Sequence, residues 1–317
     1  MSHLIRPGEA SGFLHGQRDL PWEVPRSRLP VPPAAQPSDQ HVPQRRRVLI
    51  TGGSSGIGAA TAAEFAARGC YVAVTGRDAR ALDRVAGAAG GVSIPGDLRE
   101  PGRPRRVVEA AAVALGGLDV VVSNAGVGWA GPFAEMTDEE MDELLDVNLR
   151  APAHVAHAAL AHLRPGAGHL VFVGSIAGLL GVAGETWYSA TKAGVAILAD
   201  TLRAELRAEA IGLSLVIPGA VDTPYFDRRK VPYQRSSPRP ITAQVVAAAI
   251  ANAVEQRRDT VIAPEWLGWP ARLKGAFPAL YRRLERSLDS EGKDDRKGGR
   301  WHGGKRAPVV RPVGPWP

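Results

Sequence analysis

A doubly wound α/β fold, a single domain built on one parallel sheet with helices on both faces, is what this sequence predicts. Three observations point to it. Short runs such as RVLI, YVAV, VVVS and LVFV are apolar throughout, as strands buried on both faces must be. These runs alternate with longer segments of helical patterning, which implies parallel strands joined by crossover helices. A glycine-rich loop stands between the first run and the first helix, where such sheets bind ligands.

The elements follow in order. RVLITGG, from Arg47, is a buried strand, and AATAAEFAARG is a helix stopped at Gly69. CYVAVTG is the second strand, with Cys70 a small core residue at its start. A helix over about 79–89 leads to the strand GVSIPGD, and one over about 104–115 to LDVVVSNAG. One long helix is expected over about 138–163 before GHLVFVGS, and another over about 187–210 before LSLVIPGAV. A last helix from Thr242, TAQVVAAAIANAVEQ, precedes the strand DTVIAPE. The domain so defined spans 46–265. Residues 266–290 read as an amphipathic helical segment. In it Leu273, Phe277, Leu280, Tyr281, Leu284 and Leu288 fall on one stripe, and Pro278 kinks or restarts the helix.

The flanks differ in character. Residues 1–45 are rich in proline and polar residues and read as a disordered extension, and 291–317 as a disordered basic tail. The net charge of +7 over 317 residues sits in these flanks. Seven basic groups face four acidic ones in 1–47, and twelve face five in 271–317, which leaves the body mildly acidic. Nucleic acid is therefore not an expected partner. Peripheral membrane contact through 271–288 is conceivable but less favoured than packing on protein. One cysteine excludes an internal disulfide and fits a reducing, cytoplasmic setting. No apolar run is long enough to span a bilayer, and the N-terminus has no secretory h-region.

TGGSSGIG, Thr51 to Gly58, is a phosphate cradle by context. Gly52, Gly56 and Gly58 let backbone N–H groups approach a pyrophosphate, and the helix that follows adds positive charge at its N-terminus. It lacks the Gly-Lys-Ser/Thr of a triphosphate-hydrolysing loop. Where an NAD-binding fold places an acidic residue for the ribose 2′-OH, this chain has Gly76 followed by Arg77. An arginine grips a 2′-phosphate, so NADP is favoured over NAD. Arg77 could instead be a solvated loop residue, with Asp78 reaching the ribose. Asp97 could accept from the adenine amino group, cap a helix, or both.

Tyr188 and Lys192 stand at i and i+4 on a predicted helix and face the same way. Ser175 sits just past a strand end, at the carboxyl edge of the sheet. Asn148 is a poor helix former in mid-helix and invites an explanation. His154, His157 and His162 share a helix but lack further ligands at matching spacing, so no metal site is expected.

These residues resemble the short-chain dehydrogenase/reductase family in its shorter, single-domain, Rossmann-like form. The matched pieces are TGGSSGIG, Asp97, the Asn-Ala-Gly at 124–126, Asn148, Ser175, Tyr-Ser-Ala-Thr-Lys at 188–192 and PGAVDT at 218–223. The resemblance implies hydride transfer between a nicotinamide and a carbonyl or hydroxyl carbon. It implies that Tyr188 is the proton donor or acceptor, that Ser175 holds the substrate oxygen, and that Lys192 tunes Tyr188 and binds the nicotinamide ribose. Asn148 would fix a water that relays protons to Lys192. Thr51, Gly52, Ser54, Ser55, Gly56, Ile57, Gly58, Arg77, Asp97, Leu98, Asn124, Ala125, Gly126, Tyr188, Lys192, Pro218, Gly219, Val221 and Thr223 would contact the cofactor. Bringing a tyrosine from a pKa of ~10 to near 7 needs roughly 4 kcal/mol. One cation at ~4 Å in an effective dielectric near 20 supplies about that much.

The substrate pocket, by the same resemblance, lies between VGWAGPF, IAGLLGVAGETW and the basic stretch YFDRRKVPYQRSSPRP after Thr223. Trp129, Phe133, Leu179, Leu180 and Trp187 suggest a lipophilic ketone or alcohol. The basic stretch is expected to be a mobile lid with solvated arginines. A homodimer or homotetramer through the two long helices is implied. Two competing functions are a silent sensor of dinucleotide redox state, which needs no acid–base relay, and an epimerase or dehydratase of nucleotide sugars. The latter usually needs a larger substrate domain than the segment after 265 can build.

Overall fold

The structure, a computed structural model, describes residues 45–229, 231 and 238–283. The readings for 1–44 and 284–317, including Leu284 and Leu288, lie outside these residues, as does most of the basic stretch after Arg229. Seven parallel strands form one sheet in the order β3-β2-β1-β4-β5-β6-β9. They are β1 (Arg47–Thr51), β2 (Tyr71–Gly76), β3 (Val92–Pro95), β4 (Val120–Ser123), β5 (His169–Val173), β6 (Gly212–Pro218) and β9 (Thr260–Ala263). The order reverses between β1 and β4, the switch point at which open α/β sheets bind ligands.

Alternation along each strand builds two cores. Leu49, Val121, Leu170 and Phe172 face one side and pack under α3 (Arg103–Leu115), α5 (Ala151–Leu160) and α7 (Thr186–Leu206). Ile50, Val74, Val122 and Val171 face the other side, under α1 (Gly56–Ala67), α2 (Ala79–Ala88) and α9 (Ala243–Glu255). Both layers are therefore fully apolar, which explains why the strand sequences show no polar alternation.

The helix expected over 138–163 is not one helix. It is α4 (Asp138–Leu145), a π-helical turn (Asp146–Arg150) and α5. Pro152 supplies the reason: it has no N–H to give the carbonyl of Asn148, four residues before it, so the α-helical ladder cannot pass. The helix expected over 187–210 ends at Leu206 and gives way to a turn. Between β6 and α9 a small parallel pair, β7 (Val221–Asp222) and β8 (Ile241–Thr242), pins both ends of a connection that carries the short helix α8 (Tyr225–Arg228).

The helix α10 (Gly268–Ala276) breaks at Phe277 and restarts at Pro278. The stripe expected here is not buried, since Phe277 and Leu280 are exposed. What ties α10 down is polar: Lys274 Nζ donates to the carbonyls of Leu179 and Leu180, at 3.1 and 2.7 Å.

At the amino edge of the sheet Asp119, buried just before β4, binds two arginines. Arg47 meets it through Nε and a terminal nitrogen at 2.8 Å each, and Arg164 at 2.7 Å. These donors hold its carboxyl down to about 2 despite the burial, which acts the other way. On β5, His169 is buried and donates through Nε2 to Ser214 Oγ at 2.8 Å, and Ser214 in turn donates to the Arg258 carbonyl. Burial pushes this imidazole down to about 4.

Candidate active site

A cleft of about 640 Å³ opens at the carboxyl edge of the sheet, over the switch point. Its floor at one end is the glycine loop. Gly52 and Gly56 have φ of +67° and +55°, the left-handed region that glycine enters without cost. Gly58 is required for a different reason: a Cβ there would lie 2.1 Å from the Gly52 carbonyl oxygen. It lets α1 press against the loop and aim its N-terminus into the cleft.

Thr51 and Gly58 stand behind the cleft surface rather than on it, which corrects the expectation that both contact a cofactor. Thr51 is fully buried, and its hydroxyl accepts from the backbone N–H of Asn124 and of Ala125, at 2.9 and 3.0 Å. Asn124 returns a bond from Nδ2 to the Thr51 carbonyl at 2.9 Å. The loops after β1 and β4 are thereby one rigid unit. The other expected cofactor residues, Gly52, Ser54, Ser55, Gly56, Ile57, Arg77, Asp97, Leu98, Asn124, Ala125, Gly126, Pro218, Gly219, Val221 and Thr223, all line the cleft.

At the far end of the glycine loop Arg77 is half-exposed, 3.6 Å from the Glu143 carboxylate. Asp78 is committed elsewhere: it caps α2 by accepting from the Ala81 N–H at 2.9 Å. Asp97 is held by Arg99 through Nε and a terminal nitrogen, which together with a backbone bond lowers its pKa. Glu143 is a cleft residue the sequence did not flag.

At the opposite end Ser175, Tyr188 and Lys192 converge in the cleft. Ser175 is the N-cap of α6 (Ile176–Leu180), its Oγ accepting from the Ala177 N–H at 3.2 Å, and its hydroxyl faces the Tyr188 phenol and favours the phenolate. Tyr188 is buried, and burial pushes its phenol above the ordinary value. The expected lowering by Lys192 is not what this environment produces, because desolvation outweighs the hydrogen bonds that favour the phenolate. Lys192 is itself buried and pushed down to about 8, with Nζ donating to the Val173 carbonyl at 3.1 Å.

Asn148 lies behind them in the π turn and is fully buried. Its side chain forms a two-bond clamp on one peptide unit, accepting from the Val127 N–H and donating to the Val127 carbonyl, both at 2.9 Å. Nδ2 also reaches Thr191 Oγ1 at 3.4 Å. Both amide hydrogens are thereby engaged, while Oδ1 keeps one lone pair. The π turn, forced by Pro152, was the signal that could have located this.

The apolar wall differs from the expected one. Trp129 is buried in a cluster with Met136, Leu144, Ala177 and Tyr188, and Trp187 packs on that cluster while donating to the Met141 carbonyl. Phe133 is exposed, and Leu179 packs on the main core. Trp129, Phe133, Leu179, Leu180 and Trp187 do not line the cleft. Val127, Ala177, Val182, Tyr225 and Phe226 do. Two arginines of the stretch after Thr223, Arg228 and Arg229, are not merely solvated. Arg228 donates to Ser55 Oγ at 3.1 Å, across the cleft, and Arg229 pairs with Glu185 at 2.6 Å, largely buried. Among the described residues no group of three or more His, Cys, Asp or Glu could hold a metal, and His154 and His157 are exposed on α5.

A parallel sheet in this order, a glycine cradle at its switch point and a serine beside a buried tyrosine–lysine pair define a dinucleotide-dependent oxidoreductase. The chain belongs to the short-chain dehydrogenase/reductase family, NAD(P)-dependent enzymes acting on alcohol or ketone groups; the short chain dehydrogenase model matches residues 46–232. The chain is 32% identical over 254 residues to 1-deoxy-11-beta-hydroxypentalenate dehydrogenase of Streptomyces arenae, covering 76% of this chain and 89% of that one. Among solved structures, a short chain dehydrogenase from Burkholderia cenocepacia in complex with NADP superimposes with a TM-score of 0.63 at 32% identity. That match covers 68% of this chain and 95% of that one. The 3-ketoacyl-(acyl-carrier-protein) reductase of Brucella melitensis, complexed with NADH, gives 0.64 at 26% identity, covering 68% and 96%.

Proposed function

We propose that this enzyme uses NADP to oxidise or reduce a lipophilic secondary alcohol or ketone, with Tyr188 as its acid–base group. The observation that carries the reading is the convergence of Tyr188, Ser175 and Lys192 in a cleft that runs on to the glycine cradle. The cleft fits a dinucleotide. The loop from Gly52 to Ile57 and the N-terminus of α1 would hold the pyrophosphate, Asp97 and Leu98 the adenine, and Val221 and Thr223 the carboxamide end. Bound there, the cofactor supplies or accepts the hydride.

The chain's own groups handle the proton. Tyr188 gives its phenolic proton to a carbonyl oxygen on reduction, or takes it from a hydroxyl on oxidation. Ser175 donates to that same oxygen and fixes its position. Lys192, cationic below about 8, stabilises the phenolate left behind. Asn148 fixes the loop of Val127 over the site. A water at Asn148 would meet its backbone carbonyl, which Pro152 deprives of an α-helical donor.

NADP is favoured over NAD because the ribose end presents Arg77, while Asp78, the acid next to it in sequence, caps a helix. The lipophilic substrate rests on Val127, Ala177, Val182 and Phe226. The exposed Leu145 on α4 and Ile197 on α7 support a homodimer or homotetramer through these helices. A monomeric mass in light scattering would refute that. Among the described residues no helix is long and apolar enough to cross a membrane, and a cytoplasmic enzyme is the setting we propose.

The test is a fluorescence titration with NADPH and NADH, followed by a screen of lipophilic ketones with Tyr188→Phe as the inactive control. Tighter NADPH binding that falls about 10–100-fold in Arg77→Ala, the worth of charged hydrogen bonds, supports the cofactor choice. Binding of neither dinucleotide by the folded protein refutes the reading. An intact acid–base set argues against a silent sensor.

A further inference from the structure

Tyr225, the first residue of α8, is the cleft residue that the acid–base reading leaves without a task. Its ring stands 6.0 Å from that of Tyr188, tilted by 51°. Its hydroxyl end is wedged against the loop after β4: a Cβ at Gly128 would lie 2.5 Å from both Cζ and the hydroxyl oxygen of Tyr225. Glycine at 128 is thus what makes room for this phenol. Two further contacts fix α8. Arg229, just past its end, pairs with Glu185 at the start of α7 and stacks over Phe226, with its guanidinium carbon 4.8 Å from the ring centre. Arg228 reaches Ser55. The hydroxyl so placed faces the Tyr188 oxygen, where it can donate to the phenolate.

Resting on the function proposed above, we propose that Tyr225 is a positioning residue for proton transfer: its hydroxyl holds the Tyr188 oxygen in the substrate-free enzyme, at the place the substrate oxygen takes. The position follows from the lining of the cleft. Val127, Gly128, Ala177 and Val182 line the cleft together with Tyr188 and Tyr225, whose rings are in contact. An incoming oxygen must displace Tyr225.

The charged and titratable groups that face Tyr188 are few. Lys192 lies one turn on along α7 and Glu185 precedes that helix. Arg229 and Tyr225 come from α8 and its end, and Ser175 from the start of α6. The loop at Val127 and Gly128 contributes only backbone and an apolar side chain. A donor to Tyr188 stabilises its phenolate, so removal of the Tyr225 hydroxyl raises the pH at which Tyr188 ionises.

The experiment labels tyrosine with carbon-13 at Cζ in the full chain and follows each phenol by NMR over pH, with Tyr188→Phe to assign its signal. In Tyr225→Phe, which keeps the ring between Gly128 and Tyr188, the Tyr188 signal should move and its ionisation shift upward by roughly one unit, as expected for one hydrogen bond to a charged group. Tyr225→Met serves if the phenylalanine variant does not fold. An unchanged Tyr188 signal and titration overturns the proposal. With NADPH and cyclohexanone, or another cyclic ketone that the wild type reduces, Tyr225→Phe should shift the pH limb of kcat/KM and leave that of kcat, where substrate has replaced Tyr225. Equal shifts in both overturn the displacement. If the wild type reduces no ketone, the proposed function falls, while the NMR result still decides whether Tyr225 holds Tyr188.

Discussion

Replacing Asn148 by alanine removes the clamp on Val127, together with a longer contact to Thr191 Oγ1 at 3.4 Å. The two bonds lost, to the N–H and the carbonyl of Val127, are each 2.9 Å long. At about 0.5–1.5 kcal/mol each they contribute about 1–3 kcal/mol. The vacated space adds about 1 kcal/mol, because Asn148 is fully buried. A total of about 2–4 kcal/mol is expected, or a fall in Tm of about 5–15 °C for a domain of this size. Urea denaturation of the two proteins measures it directly. Asn148→Asp sharpens the test. A carboxylate still accepts from the Val127 N–H but faces the Val127 carbonyl with no proton to give, so at neutral pH it should cost at least as much as alanine. Acidification should restore part of the difference, since the protonated acid donates again. A loss of activity in Asn148→Ala with stability within about 0.5 kcal/mol of wild type, less than the range expected for two such bonds, would refute the clamp. It would restore a pure water-relay role for the side chain.

Other outcomes can be checked alongside. His169 has a folded pKa of about 4 against an ordinary 6.5, so its contribution is complete above pH 6.5 and is lost as pH falls through 4. About 3 kcal/mol of stability should disappear over that window and should be absent from the acid titration of His169→Gln, measured by urea midpoints. Asp119→Asn leaves Arg47 without its carboxylate and should cost about 3 kcal/mol in denaturation. The loss should vanish at pH below about 2, where the wild-type carboxyl is protonated. Gly58→Ala forces a Cβ against the Gly52 carbonyl and should weaken NADPH binding at least tenfold in a fluorescence titration; wild-type affinity there would contradict the packing argument.

The order of strands and helices was legible because strands buried on both faces carry an apolar run that solvent-facing strands do not. The glycine cradle and the tyrosine–lysine pair were legible because their chemistry constrains residue type at fixed spacing. What escaped was set by contacts between distant elements. The single helix expected over 138–163 ignored Pro152, a local signal that was present and decisive. Thr51 was assigned to the cofactor because it adjoins the cradle, yet its hydroxyl is consumed by Asn124 and Ala125, seventy residues on. Apolar side chains such as Trp129 and Trp187 were assigned to the pocket by position in a loop. Their size instead sends them into the cluster behind it, and only packing decides which way a loop tryptophan turns. Glu143 had no sequence signal, since it belongs to no motif and matters through what it faces, whereas Tyr225 lay in a stretch expected at the pocket but was not singled out there.

The Asp119 network and the cleft sit at opposite ends of the same strand. Asp119 precedes β4 and Asn124 follows it, a separation of about 16 Å at the rise of a strand. Substitutions that far apart with no shared partner combine additively. Variation in the cleft walls can therefore accumulate without eroding the anchor that keeps the sheet together. A lineage, or an engineer, can explore new substrates at one end while the other remains a fixed reserve of robustness.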